Sequence, residues 1–110
     1  MFKGITVIGL FLAAAAVPTT TYLECLFPSN QGVLQVTADE PNLFVTTVFV
    51  PTGHTEKQPA AFTPSEVRFE SRQLSYIISR TDLSIKRTVK MIDSSDTGAC
   101  KVVAPPKRAF

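Results

Sequence analysis

The sequence predicts one small α+β domain, made of an antiparallel β-sheet with at most one short helix. Two stretches carry this prediction. Residues 74–79 and 83–92 alternate between apolar and polar residues on either side of the polar tetrad 79–82, which is typical of a β-hairpin. Thr63, Pro64 and Glu66 stand in the order of a capping box at a helix N-terminus, which predicts a short helix after them.

The second run of the hairpin has two unlike faces, because successive side chains of a strand point to opposite sides. One face carries Leu83, Ile85, Arg87, Val89 and Met91, and the other carries Ser84, Lys86, Thr88 and Lys90. We expect the first face to be buried and the second, basic face to lie in water.

Three stretches before the hairpin predict further strands, namely 22–27, 33–38 and 43–50. The third is nearly continuous in β-branched and aromatic residues, which predicts a central strand. Residues 52–64 are rich in proline and contain the only histidine, His54, so we expect a long surface loop there. Residues 93–98 predict a turn that leads to Cys100.

Residues 63–73 allow a second interpretation beside the capped helix. Val67, Phe69 and Ser71 alternate with a row of charged residues, which is the pattern of a strand with a polar outer face. Both interpretations stay open at this point.

The first sixteen residues predict a secretory signal peptide, because Lys3 precedes an apolar run that ends in small residues at Ala16. We expect cleavage after Ala16, with Thr21 as a later alternative. The secreted product would then be one domain at residues 22–104 with a flexible tail at 105–110, and it would carry no membrane segment.

Two cysteines in a secreted chain predict a disulfide between Cys25 and Cys100. Such a bond would join the two ends of the domain and stabilise a chain too small to bury a large core. No histidine stands near either cysteine, so we expect no metal site and no cofactor.

Charge is unevenly distributed, with about −3 over residues 21–65 and about +4 from residue 66 onward. The candidate interaction surface consists of exposed polar residues of the predicted loop and cations of the later strands: His54, Glu56, Lys57, Lys86, Lys90 and Lys101. Only a few of these cations can reach phosphates, so any binding of RNA should be weak. Solvated strand faces show the same composition.

The sequence offers few candidate catalytic residues. A metal-free ribonuclease needs a base, an acid and a cation for the phosphate, and Glu66 or Glu70, His54 and one of several arginines could nominally fill these roles. Those arginines are Arg68, Arg72, Arg80 and Arg87. Nothing in their spacing brings these residues together, so we predict that the protein is not an enzyme.

Several features together resemble the small secreted ribonuclease-like effectors of powdery-mildew fungi, which are similar in turn to small guanyl-specific fungal ribonucleases. These are the leader, residues 22–25 (Tyr-Leu-Glu-Cys), residues 75–79 and the final stretch 92–100 with its cysteine. The resemblance implies a ribonuclease-like α+β fold. It also implies lost catalysis, since Ala60 stands at the first histidine's place, Arg68 near the glutamate's and Ser75 near the arginine's.

The resemblance implies a secreted, monomeric effector that binds host proteins, and RNA weakly, to suppress host defence, with entry into host cells as a further expectation. Three alternatives remain. They are a small β-sandwich effector with an all-β sandwich fold, an unrelated secreted structural or inhibitor domain, and an active secreted ribonuclease.

Overall fold

The computed structural model describes residues 19–29 and 32–106, so the predicted leader and the last four residues of the predicted tail lie outside the described residues. Eight antiparallel strands follow one another along this part of the chain. They are β1 (Thr20–Leu26), β2 (Leu34–Asp39), β3 (Phe44–Phe49), β4 (His54–Phe62), β5 (Glu66–Glu70), β6 (Leu74–Ser79), β7 (Ser84–Val89) and β8 (Ser94–Val103). Each strand pairs with its neighbours in the chain and β8 pairs with β1, which closes the sheet into a barrel.

The prediction of an α+β, ribonuclease-like fold is therefore wrong. The described residues contain one short 3-10 turn, Glu40–Asn42, and no α-helix. The all-β alternative is closer, although a single closed sheet takes the place of the two sheets of a sandwich. None of the described helical residues forms a segment long and apolar enough to cross a membrane.

The prediction of a loop at residues 52–64 is wrong, because β4 occupies residues 54–62. Its first six residues pair with β3, from Phe44 opposite Pro59 to Phe49 opposite His54. Gly53, at φ 73°, makes the turn between them. Pro59 has no N–H to donate, and the β4–β5 ladder begins only after it, at Ala60.

Residues 63–73 form a turn, the strand β5 and a second turn, so the strand interpretation is confirmed and the helix interpretation is wrong. The Thr63 side chain does accept a hydrogen bond from the backbone N–H of Glu66, at 3.0 Å, as a capping residue would. The backbone N–H of Thr63 also donates to the Glu66 carbonyl, at 2.9 Å, which closes a hairpin between β4 and β5. The hydrogen bond between the Thr63 side chain and the Glu66 N–H therefore stabilises a hairpin turn here and not a helix N-terminus.

The predicted hairpin is confirmed as β6 and β7, with Ile78 opposite Ile85. The turn predicted at 93–98 lies instead at residues 90–93, since β7 ends at Val89 and β8 begins at Ser94. Met91, predicted on the buried face, is 89% exposed because it belongs to this turn. The predicted disulfide is present, with Cys25 and Cys100 directly opposite each other on the two strands that close the barrel.

Side chains that point into the barrel divide into two regions. The apolar region is filled by buried residues from all eight strands except β4 and β8, together with Cys25 of the disulfide and Phe27 just after β1. They are Leu23, Cys25, Phe27, Leu34, Val36, Ala38, Val45, Val67, Phe69, Tyr76, Ile78 and Ile85. The second region is polar and lies at one end.

Candidate ligand site at the barrel mouth

One end of the barrel, which we call the mouth, carries the connections from β1 to β2, β3 to β4, β5 to β6 and β7 to β8. A cavity of about 330 Å³ enters the barrel interior there. Its lining combines aromatic and aliphatic side chains with a few polar ones: Phe27, Gly32, Leu34, Thr47, Phe49, Thr52, His54, Glu56, Ser71, Leu74, Tyr76 and Arg87.

The β4 strand supplies one polar wall of the mouth. Its inward positions hold His54, Glu56 and Gln58, because they stand opposite the inward residues of β3 in the register. The His54 ring nitrogen Nε2 lies 2.8 Å from Glu56 Oε2, and the Gln58 amide donates to Glu56 Oε1 at 2.8 Å. The Glu56 carboxylate is thus held from both sides.

Burial changes steeply along this wall. The His54 side chain is 67% exposed and that of Glu56 38% exposed, whereas Gln58 is only 7% exposed. The Gln58 oxygen Oε1 is buried and accepts no hydrogen bond from any described residue. A buried acceptor without a donor is costly, so this oxygen leaves the β4 wall with more hydrogen-bond acceptors than donors.

The wall formed by β7 and β8 is held by an ion pair. Arg87 donates two hydrogen bonds to Asp96, its register partner, at 3.1 and 2.7 Å, and Ser29 donates to the same carboxylate at 2.5 Å. The guanidinium also lies over the Phe27 ring, 4.0 Å from its centre. The hydrogen bond from Arg87 lowers the pKa of Asp96, so this carboxylate keeps its charge in mild acid.

Tyr76 stands between the two walls. Its ring stacks on Phe69 with centroids 4.9 Å apart and planes 14° apart. Burial raises the pKa of the Tyr76 hydroxyl, while the neighbouring Arg87, which is hydrogen-bonded to it, acts in the opposite direction and the Glu56 charge adds to the rise. The phenol is therefore a neutral hydrogen-bonding group at neutral pH.

Two glycines allow the chain to close around this cavity. A side chain at Gly98 would place its Cβ 2.2 Å from the Leu26 carbonyl oxygen, so only glycine lets β1 approach there and bring Phe27 over Arg87. A Cβ at Gly32 would lie 2.3 Å from Pro51. Both positions need glycine because backbone or ring atoms pass close by.

The structure brings two residues of the predicted interaction surface, His54 and Glu56, into the mouth. Of the predicted lysines, Lys90 lies at the rim of the mouth, in the turn between β7 and β8, and the other three lie on the outside of the barrel. Lys57 lies over the Phe44 ring at 4.8 Å, Lys86 is exposed on β7, Lys90 pairs with Glu70 at 2.6 Å, and Lys101 on β8 is 3.8 Å from Glu24. The lysines are thus distributed over several strands.

Of the nominal catalytic residues, only His54 and Arg87 line the mouth. Glu66 pairs with Arg68 on the outer face of β5, and Arg80 lies at the opposite end of the barrel. Sequence reasoning missed Thr47, Gln58, Tyr76 and Asp96. One signal was available, since the alternation of residues 83–91 places Arg87 on the face expected to be buried, where an arginine needs a partner.

Comparison of the chain with family models, curated proteins and solved structures gave no match.

Proposed function

We propose that this is a secreted, non-enzymatic binding protein that holds a small amphipathic organic molecule in its mouth. The observation that carries the proposal is the cavity of about 330 Å³ in which aromatic and aliphatic walls surround a few polar groups. Sites for small molecules have this composition, and this volume lies at the low end of their range. The interior of an eight-stranded barrel is either filled by side chains or holds one small ligand.

The polar groups in the mouth are oriented by partners within the chain. Glu56 is fixed by His54 and Gln58, and Arg87 is fixed by Asp96. Groups that are already held in place lose little freedom when a ligand arrives, which favours affinity. The arrangement therefore supports a ligand site more strongly than a solvated gap between hairpins.

Secretion and contact with a host protein are proposed on the sequence alone, from the predicted leader and the exposed cations. A ribonuclease-like scaffold is not part of this proposal, because the fold is a closed β-barrel and not α+β. Lys86 and Lys101, both exposed on the outer face of neighbouring strands, are the residues we expect at such a contact. Weak, salt-sensitive attraction of RNA to the same face belongs to this proposal as well.

The ligand site is tested by titrating the oxidised protein with 2-phenylethanol and following backbone amide signals by NMR. We expect the signals of Phe49, Leu74 and Tyr76 to move together. Thr52→Trp should weaken binding at least tenfold, because Thr52 lines the cavity at its rim. Thr55→Trp is the matched control, since Thr55 is exposed and its side chain points outward from the next strand.

The result that would contradict the site is equal binding by both tryptophan variants, or signal changes confined to the outer face of the barrel.

A further inference from the structure

We propose that the ligand of the mouth is a small organic cation, of the arylalkylamine class, whose ammonium group binds Glu56. This inference rests on the proposed function and deepens it by naming the ligand chemistry. Three independent observations support it: the charge balance of the mouth, the balance of its hydrogen-bond donors and acceptors, and the aromatic rings in its lining.

The charges around the cavity leave one negative charge without a permanent cation. Arg87 and Asp96 compensate each other through two hydrogen bonds. Among the described residues the ion-pair partner of Glu56 is His54, which adds no charge when neutral. At the rim Lys90 and Glu70 form a balanced pair, and the formal charges of the exposed Arg72 and Asp93 in the connecting turns cancel. With His54 neutral, the mouth is therefore negative by one in a chain whose net charge is +2.

Hydrogen-bond acceptors also outnumber donors on the β4 wall. A carboxylate offers about four acceptor sites, and Glu56 receives one hydrogen bond at each oxygen. Below it the buried Oε1 of Gln58 receives none from the described residues. An ammonium group carries three donors and no acceptor, so it matches this wall in both charge and hydrogen bonding.

The remaining lining fits the body of such a ligand. The rings of Phe49 and Tyr76 share the cavity with the Leu34 and Leu74 side chains. Aromatic faces attract cations and apolar groups alike. Phe27 already holds the Arg87 guanidinium in this way, at 4.0 Å. An anionic ligand has less to gain, because that guanidinium already binds the Asp96 carboxylate through two hydrogen bonds and is also hydrogen-bonded to Tyr76.

The test compares three probes on the wild-type protein that share a phenylethyl body and differ in the charge of the polar end: 2-phenylethylamine, 2-phenylethanol and 3-phenylpropionate. A charge-assisted hydrogen bond contributes enough for roughly a 10- to 100-fold preference. We expect the amine to bind at least tenfold more tightly than the alcohol by calorimetry or NMR titration, and the carboxylate to bind most weakly.

The Glu56→Gln variant should bind amine and alcohol alike, because it keeps the shape of the side chain and removes its charge. Glu70→Gln is the matched control, since Glu70 is 65% exposed and pairs with Lys90 outside the cavity. That control should keep the full preference for the amine. Dispersion of the amide signals shows whether each variant is folded.

The outcomes separate this inference from the proposed function. Equal binding of amine and alcohol by the wild type, or tighter binding of the carboxylate, would overturn the cation inference and leave the ligand site intact. Binding of none of the three probes would overturn both. The comparison of probes on the wild type decides the matter even if Glu56→Gln does not fold.

Discussion

Both ends of the barrel carry an arginine bound to a carboxylate by two hydrogen bonds, but the two pairs lie differently. At the mouth, Arg87 and Asp96 are register partners on neighbouring strands and lie within the barrel wall. At the opposite end, Arg80 reaches from the turn after β6 to Glu40 in the turn after β2, at 2.9 and 3.2 Å. Since β2 and β6 are four strands apart, this second pair spans the end of the barrel.

The positions of the two arginines in the barrel decide which elements each ion pair connects. Arg80 also donates to the Thr63 carbonyl at 3.0 Å, lies over the Phe62 ring and lines a smaller cavity of about 200 Å³. Arg87 lines the cavity of about 330 Å³ at the mouth. The apolar region between the two ends contains the disulfide and most of the buried core, so we assign stability to it and binding to the mouth.

The disulfide gives the largest expected effect. Replacing both Cys25 and Cys100 with serine removes a bond that joins residues 75 apart in the sequence. In the chain-entropy account, such a bond stabilises the folded protein by about 4 kcal/mol. We expect the melting temperature to fall by more than 10 °C in thermal unfolding followed by circular dichroism. A melting temperature unchanged from that of the oxidised wild type would show that strand pairing alone closes the barrel.

A matched pair on β3 tests the division between core and mouth. Val45 is fully buried in the apolar region, and Thr47, two residues later on the same face, lines the cavity. We expect Val45→Ala to lower the free energy of unfolding by about 2 kcal/mol, because it removes two packed methyl groups and leaves a void. Thr47→Ala should cost less than about 1 kcal/mol. Urea unfolding measures both, and equal losses would contradict the division.

The smallest expected effect is the loss of stability on removing either ion pair, and its dependence on pH distinguishes Arg87–Asp96 from Arg80–Glu40. The pKa of Asp96 is lowered in the folded protein, so its contribution to stability is present above the ordinary aspartate pKa of about 4 and is lost as the pH falls through the lower folded value. Asp96→Asn should therefore cost about 1 to 2 kcal/mol at pH 7 and much less in strong acid.

Glu40→Gln is the control for that prediction at pH 7, where we expect a loss of at most about 1 kcal/mol, since Arg80 and Glu40 are partly exposed. It should also leave binding of 2-phenylethanol unchanged, because Glu40 is at the far end. A deficit of Asp96→Asn that persists undiminished at low pH would show that its cause is packing and not charge.

Local patterns were sufficient for part of this fold. The β6–β7 hairpin, the strands β1 to β3 and the disulfide all follow from alternation, turn residues and a count of two cysteines. The strand β4 was not predicted, because its inward residues at the mouth are polar. They are His54, Glu56 and Gln58. Inward-facing residues of a strand are usually apolar, but those of β4 at the mouth are polar, so the usual alternation does not identify this strand.

By itself the sequence determined the two faces of β7, including the placement of Arg87 on the inward face, and the cysteines that could pair. Only the tertiary structure decided that the sheet closes, with β8 beside β1, and that His54, Glu56, Tyr76 and Arg87 from three different strands meet in one cavity. The reason is physical. Alternation is a property of neighbouring residues, whereas closure depends on the register of strands far apart in the chain.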